Sequence, residues 1–249
     1  MNRILSILGL LALISCGPDS NLDCFQQSGT IVQTEFNVRP FRKIIAFERV
    51  QLIVSYGETQ KVMVETGANL LNEIQVKVED SILKISDGNS CNFVRDIPST
   101  RVFVTSPNIN EIRNGSSFAV KSSGTLTYPR LVLISIDESV EGLFHNDGGF
   151  DMDLDIGSLR VDVNGVSKTV LRGKSVYTSF IISDSDSRIE AENLIVENLY
   201  IFHRGTNNMI VNPIQSIRGE IRSLGDVISI NTPPRVEVEE LYTGRLIFE

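Results

Sequence analysis

The 249-residue chain has no tryptophan, two histidines and three cysteines, and its N-terminal apolar run is too short to cross a membrane. A spanning helix needs about 20 apolar residues, whereas this run, residues 4–14, has eleven and is interrupted by Ser6 and Gly9. The sequence also lacks the short motifs that present a nucleophilic serine, bind zinc through spaced histidines or cradle a phosphate. These absences argue against the common hydrolase, zinc-enzyme and nucleotide-binding classes.

The charge balance excludes another class of partner. The chain has 31 acidic and 23 basic side chains, which gives a formal net charge of −8 at pH 7. An acidic surface repels phosphate backbones, so we do not expect a nucleic-acid partner. No pattern in the sequence implies a cofactor.

The first residues have the organisation of an export signal. Arg3 is followed by the short apolar run, and Leu13, Ile14 and Ser15 precede Cys16. This arrangement resembles the lipobox of bacterial lipoproteins, which implies lipidation of Cys16 and cleavage before it. We therefore predict a lipoprotein signal peptide at 1–15, a lipidated tether at 16–30 and one domain at 31–249, anchored to the outer membrane at the cell surface or its periplasmic face. An ordinary signal peptide with a chance cysteine is the alternative.

Two cysteines, Cys24 and Cys91, remain after lipidation. Exported compartments are oxidising, and leftover thiols there usually pair. A Cys24–Cys91 disulfide would close a loop of 66 intervening residues, which the chain-entropy model values at about 4 kcal/mol. Two unpaired buried cysteines are the alternative.

From Thr30 onward, apolar and polar residues alternate with period two, which is typical of β-strands. Clear examples are residues 50–54, 62–64, 74–78, 82–85, 102–104, 131–133, 159–163, 217–221, 236–238 and 246–248. The sequence therefore predicts an all-β protein. Before residue 100 the alternating runs are longer and irregularly spaced, and we expect this region to be a broader start of the same stack.

The second half has a repeat. Gly165, Gly205, Gly225 and Gly244 stand 40, 20 and 19 residues apart, and the missing member near residue 185 falls in the segment SDSDS. We interpret these positions as turns that need a positive φ, which glycine adopts most easily. A fixed period near 20 predicts stacked coils that share one apolar interior. The predicted fold is a right-handed parallel β-helix-like solenoid with coils of about 20 residues; an antiparallel β-sandwich is the alternative.

Several segments together resemble one known family. They are FRKIIAFERVQLIVSYGETQKVMVETGANLLNEIQVKVEDSILKIS at 41–86, NSCNFVRDIPSTRVFVTSPNINEIRNGSS at 89–117, and the glycine marks NGVS, RGTN and LGDV at 164–167, 204–207 and 224–227. The ordered set is similar to the putative auto-transporter adhesin, head GIN domain family of Bacteroidetes lipoproteins. The resemblance implies a β-helix-like fold and an envelope location. It also supports the Cys24–Cys91 pair, because family members often have cysteines near these positions.

Three groups of residues could carry chemistry. Asp151, Asp153 and Asp155 alternate with apolar residues, so one strand face could hold Ca²⁺ or be a solvated surface; we favour the latter. His145, Asp147 and Asp151 could act on a polysaccharide in an outer groove, or could be ordinary loop polarity. We interpret residues 184–187 (DSDS) as a turn, and His203, the second histidine, has only Arg204 as a charged neighbour.

The preferred functional hypothesis is a non-catalytic, lipid-anchored envelope protein. Its extended surface would serve adhesion or the binding of a glycan or of an extracellular or envelope protein. A polysaccharide-active enzyme and a passive structural component are the alternatives. We predict no catalytic, metal-binding or cofactor-binding residue.

Overall fold

The computed structural model describes residues 26–89, 95–97, 99–136 and 147–249. These residues form seventeen strands that belong to one hydrogen-bonded sheet system. The first nine strands are β1 Ile31–Glu35, β2 Lys43–Ala46, β3 Val50–Tyr56, β4 Lys61–Gly67, β5 Ile74–Glu79, β6 Ile82–Asp87, β7 Thr100–Ser106, β8 Glu111–Asn114 and β9 Val120–Leu126. The other eight are β10 Arg130–Ser135, β11 Phe150–Gly165, β12 Lys168–Ser185, β13 Arg188–Gly205, β14 Met209–Ile221, β15 Val227–Ser229, β16 Arg235–Glu240 and β17 Leu246–Phe248.

The prediction of an all-β chain is confirmed. Within the described ranges the only helical element is a three-residue 3₁₀ helix, Leu71–Glu73. In that same part of the chain, no helix combines the length and the apolar composition that crossing a bilayer requires.

Successive strands in the second half pair in parallel, each with the segment about one repeat further along the chain. Phe150 of β11 pairs with Thr169 of β12, and Lys168 of β12 pairs with Arg188 of β13. Across β11 to β17 the paired residues are 17 to 21 positions apart in the sequence. The twenty-residue period of the sequence therefore corresponds to the spacing between hydrogen-bonded neighbours.

The long strands each contain two segments of alternating burial. In β12, Thr169 and Leu171 are buried in the first segment and Phe180 and Ile182 in the second, with exposed residues between them. Leu171, Phe180 and Ile182 belong to one continuous apolar core. Fully burying an aliphatic or phenyl side chain contributes about 1.5–3 kcal/mol, so the repeated inward rows are the main source of stability.

The first half joins the same stack but is built differently. β2 pairs in parallel with β6 and β8, and β8 pairs with β10. Antiparallel pairs β1–β4, β4–β7 and β5–β6 lie beside it.

The expectation of longer strands before residue 100 is wrong. Those strands have four to seven residues, whereas β11, β12 and β13 have 16 to 18. The later strands are longer because pairing continues through the exposed positions between the buried segments: Asp155 pairs with Lys174, and Ser158 with Tyr177.

The four predicted turn glycines all follow or end strands, but for different reasons. Gly165 has a φ of +78°, and it pairs with Ser185, which in turn pairs with Gly205. The segment SDSDS thus occupies the turn position missing from the glycine series. Gly205, Gly225 and Gly244 have no positive φ, so the conformational reason is wrong for these three.

At Gly225 and Gly244 the constraint is close packing against the segment about 20 residues earlier in the chain. A Cβ atom built on Gly225 would lie 2.1 Å from the backbone oxygen of Asn207 and 2.6 Å from Nε2 of His203. One built on Gly244 would lie 2.2 Å from the oxygen of Gly225. The repeat therefore selects glycine here because any side chain would push the two neighbouring segments apart.

Substitution of Gly225 tests this steric account. We expect Gly225→Ala to lower the free energy of unfolding by about 1–3 kcal/mol, since the added methyl meets backbone that cannot rotate away. Urea unfolding measures the loss. Gly88→Ala is the matched control, because its Cβ would meet its nearest atom at 3.2 Å and its φ is not positive. Equal losses in the two variants would contradict the account.

Candidate functional site: an arginine–tyrosine cleft

The aspartates at 151, 153 and 155 lie on the outer face of β11 and are matched by cations on β12. Arg172 donates to Asp151 over 2.6 Å and to Asp153 over 2.9 Å, and Lys174 lies 3.1 Å from Asp155. These hydrogen bonds to the two carboxylates raise the pKa of Arg172. The carboxylates therefore form ion pairs between neighbouring strands. In the described ranges no group of three or more histidine, cysteine or acidic side chains is arranged to hold a metal ion.

Of the two histidines, the structure describes only His203. His145 lies outside the described residues, so the grouping of His145 with Asp147 and Asp151 is not seen as a set. His203 is fully buried in the inward row between Ile182 and Ile221, its partners on adjacent strands. Burial lowers the pKa of His203 and outweighs the opposing effects of the Asn207 backbone and the Asp226 carboxylate. This histidine is a neutral core residue.

Of the remaining predicted positions, the structure describes residues 184–187 but not the three cysteines. Residues 184–187 connect β12 and β13: Ser185 ends the first strand, and the hydroxyl groups of Ser167 and Ser187 lie 3.1 Å apart in the interior. Asp186 accepts a hydrogen bond from Thr206, so the segment is a turn tied to the next coil. Cys16, Cys24 and Cys91 lie outside the described residues, and lipidation and the disulfide stay predictions.

A cleft of about 700 Å³ crosses five successive strands, from β10 through β14, and reaches β16. We call it the arginine–tyrosine cleft and define it by Arg130, Arg160, Tyr177, Tyr200, Arg218 and Arg235.

Strand pairing aligns the cleft in two rows. The first row runs through register partners Arg130, Ser158, Tyr177, Asn198, Ser216 and Arg235, and the second through Val132, Arg160, Ser179, Tyr200, Arg218 and Glu237. Neighbouring strands lie about 4.8 Å apart, so the first row extends over about five such steps. Backbone hydrogen bonds fix the spacing, which gives a rigid surface on a scaffold of strands.

The cleft is cationic on an acidic protein. It is lined by four arginines and by a single carboxylate, that of Glu237, among the described residues. Arg160 pairs with Asp162 at 2.9 Å, and Arg235 pairs with Glu237 at 2.9 Å. Arg130 and Arg218 form no ion pair within the described ranges. The guanidinium of Arg218 lies 5.7 Å from the centre of the Tyr200 ring, a cation–π distance.

Sequence reasoning missed this cleft. Its residues are separated by about 20 positions and come together only through register, and no local motif contains them. A signal was nevertheless present: positions 160, 179, 200 and 218 follow the same period as the glycines, and two of the four are arginines. Writing successive segments of about 20 residues beneath one another, before searching for clusters, would have placed these positions in one column.

The geometry defines a class: an all-β protein with repeat-aligned strands and a shallow, cationic surface cleft whose described lining has a single carboxylate, that of Glu237. The chain belongs to the family described as putative auto-transporter adhesin, head GIN domain, whose profile matches residues 40–233. The resemblance predicted from the sequence is thereby confirmed.

Solved structures share the fold. A putative adhesin from Bacteroides fragilis NCTC 9343 superposes with a TM-score of 0.76 at 21% identity, covering 88% of this chain and 97% of that one. A putative lipid binding protein from Parabacteroides distasonis ATCC 8503 gives a TM-score of 0.59 at 12% identity, with the same coverages. A putative adhesin from Parabacteroides merdae ATCC 43184 gives 0.57 at 14% identity, again covering 88% and 97%. Among curated proteins, no relative matches the chain.

The ion pairs on β11 and β12 generate a stability prediction. We expect Arg172→Gln to lower the free energy of unfolding by roughly 1 kcal/mol at low salt, the upper end for exposed pairs, because two carboxylates lose a shared cation. The loss should shrink as salt screens the charges. Urea unfolding at low and high salt measures both effects. Lys84→Gln, which removes a single exposed pair with Glu79, should cost less; a larger loss there would contradict the shared-cation account.

The buried imidazole generates a pH prediction. Above the ordinary pKa of 6.5, neither the folded nor the unfolded chain is protonated at His203, and stability is complete. As the pH falls below that value, the unfolded chain takes up a proton that the folded chain resists, so stability declines. We expect His203→Leu to reduce the fall in unfolding free energy between about pH 7 and pH 5. Identical pH dependence in the two proteins would show that burial does not perturb this histidine.

Proposed function

We propose that the protein is a non-catalytic envelope lipoprotein that uses the arginine–tyrosine cleft for adhesion or ligand binding. The observation that carries this proposal is the cleft itself: an open, repeat-aligned cationic surface on a chain with a net charge of −8. Membership of a family described as putative adhesins agrees with it.

The proposed architecture is the right-handed parallel β-helix-like solenoid, with residues 31–249 as one domain. Parallel pairing at intervals of 17 to 21 residues from β11 to β17 supports stacked coils. Such a stack presents long, flat faces, and extended surfaces of this kind are what repeat proteins commonly use for binding.

The proposed anchor is the lipid on Cys16. Residues 1–15 would be removed, residues 16–30 would form the tether, and a Cys24–Cys91 disulfide would join the start of the chain to the domain. More than one acyl chain is needed for stable membrane attachment, and lipoprotein processing supplies several. The body would then sit on the outer membrane, exposed to partners that the cleft can bind.

A polysaccharide-active enzyme is the weaker candidate. Glycoside hydrolysis generally uses two carboxyl groups on either side of the scissile bond, whereas the described lining of the cleft has only Glu237, and that side chain is paired with Arg235. The arrangement favours binding without cleavage. Appearance of new reducing ends, or of unsaturated uronate absorbance, when the purified protein is incubated with polysaccharides would overturn the non-catalytic assignment.

External protease added to intact cells tests the proposed location and role. We expect digestion of the protein body while a periplasmic control protein stays intact, because a surface adhesin must be accessible. Cys16→Ser is the matched variant and should abolish membrane attachment. Protection in intact cells, followed by digestion after the outer membrane is permeabilised, would contradict the adhesion role. Antibody labelling of intact cells distinguishes a periplasmic location from a surface-exposed fold that simply resists the protease.

A further inference from the structure

We propose that the arginine–tyrosine cleft binds a linear acidic glycan, a polymer of sugars bearing carboxylate or sulfate groups, laid across the coils with its anionic groups on Arg130 and Arg218. This inference deepens the proposed function and rests on it. It commits the cleft to one class of ligand, whereas adhesion alone does not.

The charges of the cleft arginines favour an anionic ligand. Arg160 and Arg235 already have acidic partners two residues away on their own strands. Arg130 and Arg218 are exposed and have no acidic partner in the part of the chain that the structure describes. Arginine forms bidentate, charge-assisted hydrogen bonds with planar carboxylates and with oxyanions such as sulfate. The binding of an anionic group is therefore most favourable at these two guanidiniums, which have no acidic partner.

The distance between the two unpaired arginines favours a polymer whose charges are moderately spaced. Arg130 lies in the strand four pairings before that of Arg218, and Arg160 lies three pairings before Arg218. With strands about 4.8 Å apart, the two arginines without an acidic partner, Arg130 and Arg218, are about four steps apart. One step is close to the length of one pyranose unit along a glycan. A chain crossing the strands could therefore place one sugar on each coil and meet a guanidinium only at intervals.

The surface between the arginines suits sugars. Tyr177 is 61% exposed, and aromatic faces offer flat apolar contact of the kind that sugar rings use. Ser179 and Tyr200 continue the second row, and Ser216 donates to Asn198 over 2.8 Å in the first. Hydroxyl and amide groups of this kind can both donate to and accept from sugar hydroxyls.

The same geometry disfavours other polyanions. The cleft crosses strands whose backbone groups are used in pairing within the sheet, so an extended peptide cannot add as a further strand there. A polyphosphate or nucleic acid carries closely spaced charges, which the two unpaired arginines, four strand pairings apart, cannot match. An acidic peptide and a densely charged polymer are thus outcomes that the experiment must distinguish.

Binding of defined polymers to the purified full-length chain tests the proposal. The probes are polygalacturonate, chondroitin sulfate, neutral dextran, polyglutamate and polyphosphate, compared by calorimetry at low and physiological salt. We expect one or both acidic glycans to bind, weakening with salt, and neutral dextran not to bind. The double variant Arg130→Gln/Arg218→Gln should lose at least about tenfold in affinity, since each arginine contributes charge-assisted hydrogen bonds.

The control variant removes the same charge elsewhere. Lys61→Gln/Arg101→Gln abolishes two exposed pairs, with Glu35 and Glu65, on the antiparallel strands β4 and β7, and should leave affinity unchanged. Tyr177→Ala should weaken glycan binding while keeping its salt dependence. Circular dichroism and thermal melts confirm that each variant is folded.

Several results would overturn the inference: no binding of either acidic glycan, polyglutamate or polyphosphate bound as tightly as the glycans, or equal losses in the cleft and control variants. These failures are separable from failure of the proposed function. A body digested on intact cells that binds no acidic glycan rejects only this inference. A body protected within the periplasm rejects the adhesion role, whatever the purified chain binds.

Discussion

Register between paired strands is the constraint on which the structure depends. Because residues of β11 to β17 pair with residues 17 to 21 positions further along the chain, side chains at equivalent positions are held about 4.8 Å apart. Inward rows such as Leu159 and Leu199 merge into one core. The same register brings Arg172 to Asp151 and Asp153, and it leaves no room for a side chain at Gly225. The buried core, the ion pairs at the surface and the glycines of the turns all follow from this one spacing between paired residues.

Register also explains how much of the molecule could be predicted from its sequence. Alternation at residues 50–54 or 217–221 is a local property, and it gave the strands and the all-β class correctly. The glycine period gave the offset between paired residues. The steric reason for Gly225 and Gly244 could not be predicted, because the clashing atoms belong to Asn207 and Gly225, one coil away. Likewise, the aspartates of β11 acquire their meaning only when Arg172 and Lys174 of β12 are placed beside them.

The candidate site was the least predictable part. Arg130 and Arg235 are 105 residues apart in the sequence, yet they occupy one row of the cleft. Local searching instead grouped His145, Asp147 and Asp151, and it assigned no place to His203, which is enclosed between Ile182 and Ile221. Residues aligned by strand register can be far apart in the sequence, so a local search cannot find a surface that they form together. The family assignment covers residues 40–233, and the related structures share the fold.

The central claim is that rows of side chains aligned by coil register form one elongated binding surface. A crystal structure of the full-length chain with an acidic oligosaccharide tests it most directly. The account predicts sugar density running across strands β10 to β14, with anionic groups within hydrogen-bond distance of the Arg130 and Arg218 guanidiniums and a ring against Tyr177. Density that runs along a single strand, or a ligand seated on another face with the cleft arginines unengaged, would contradict it.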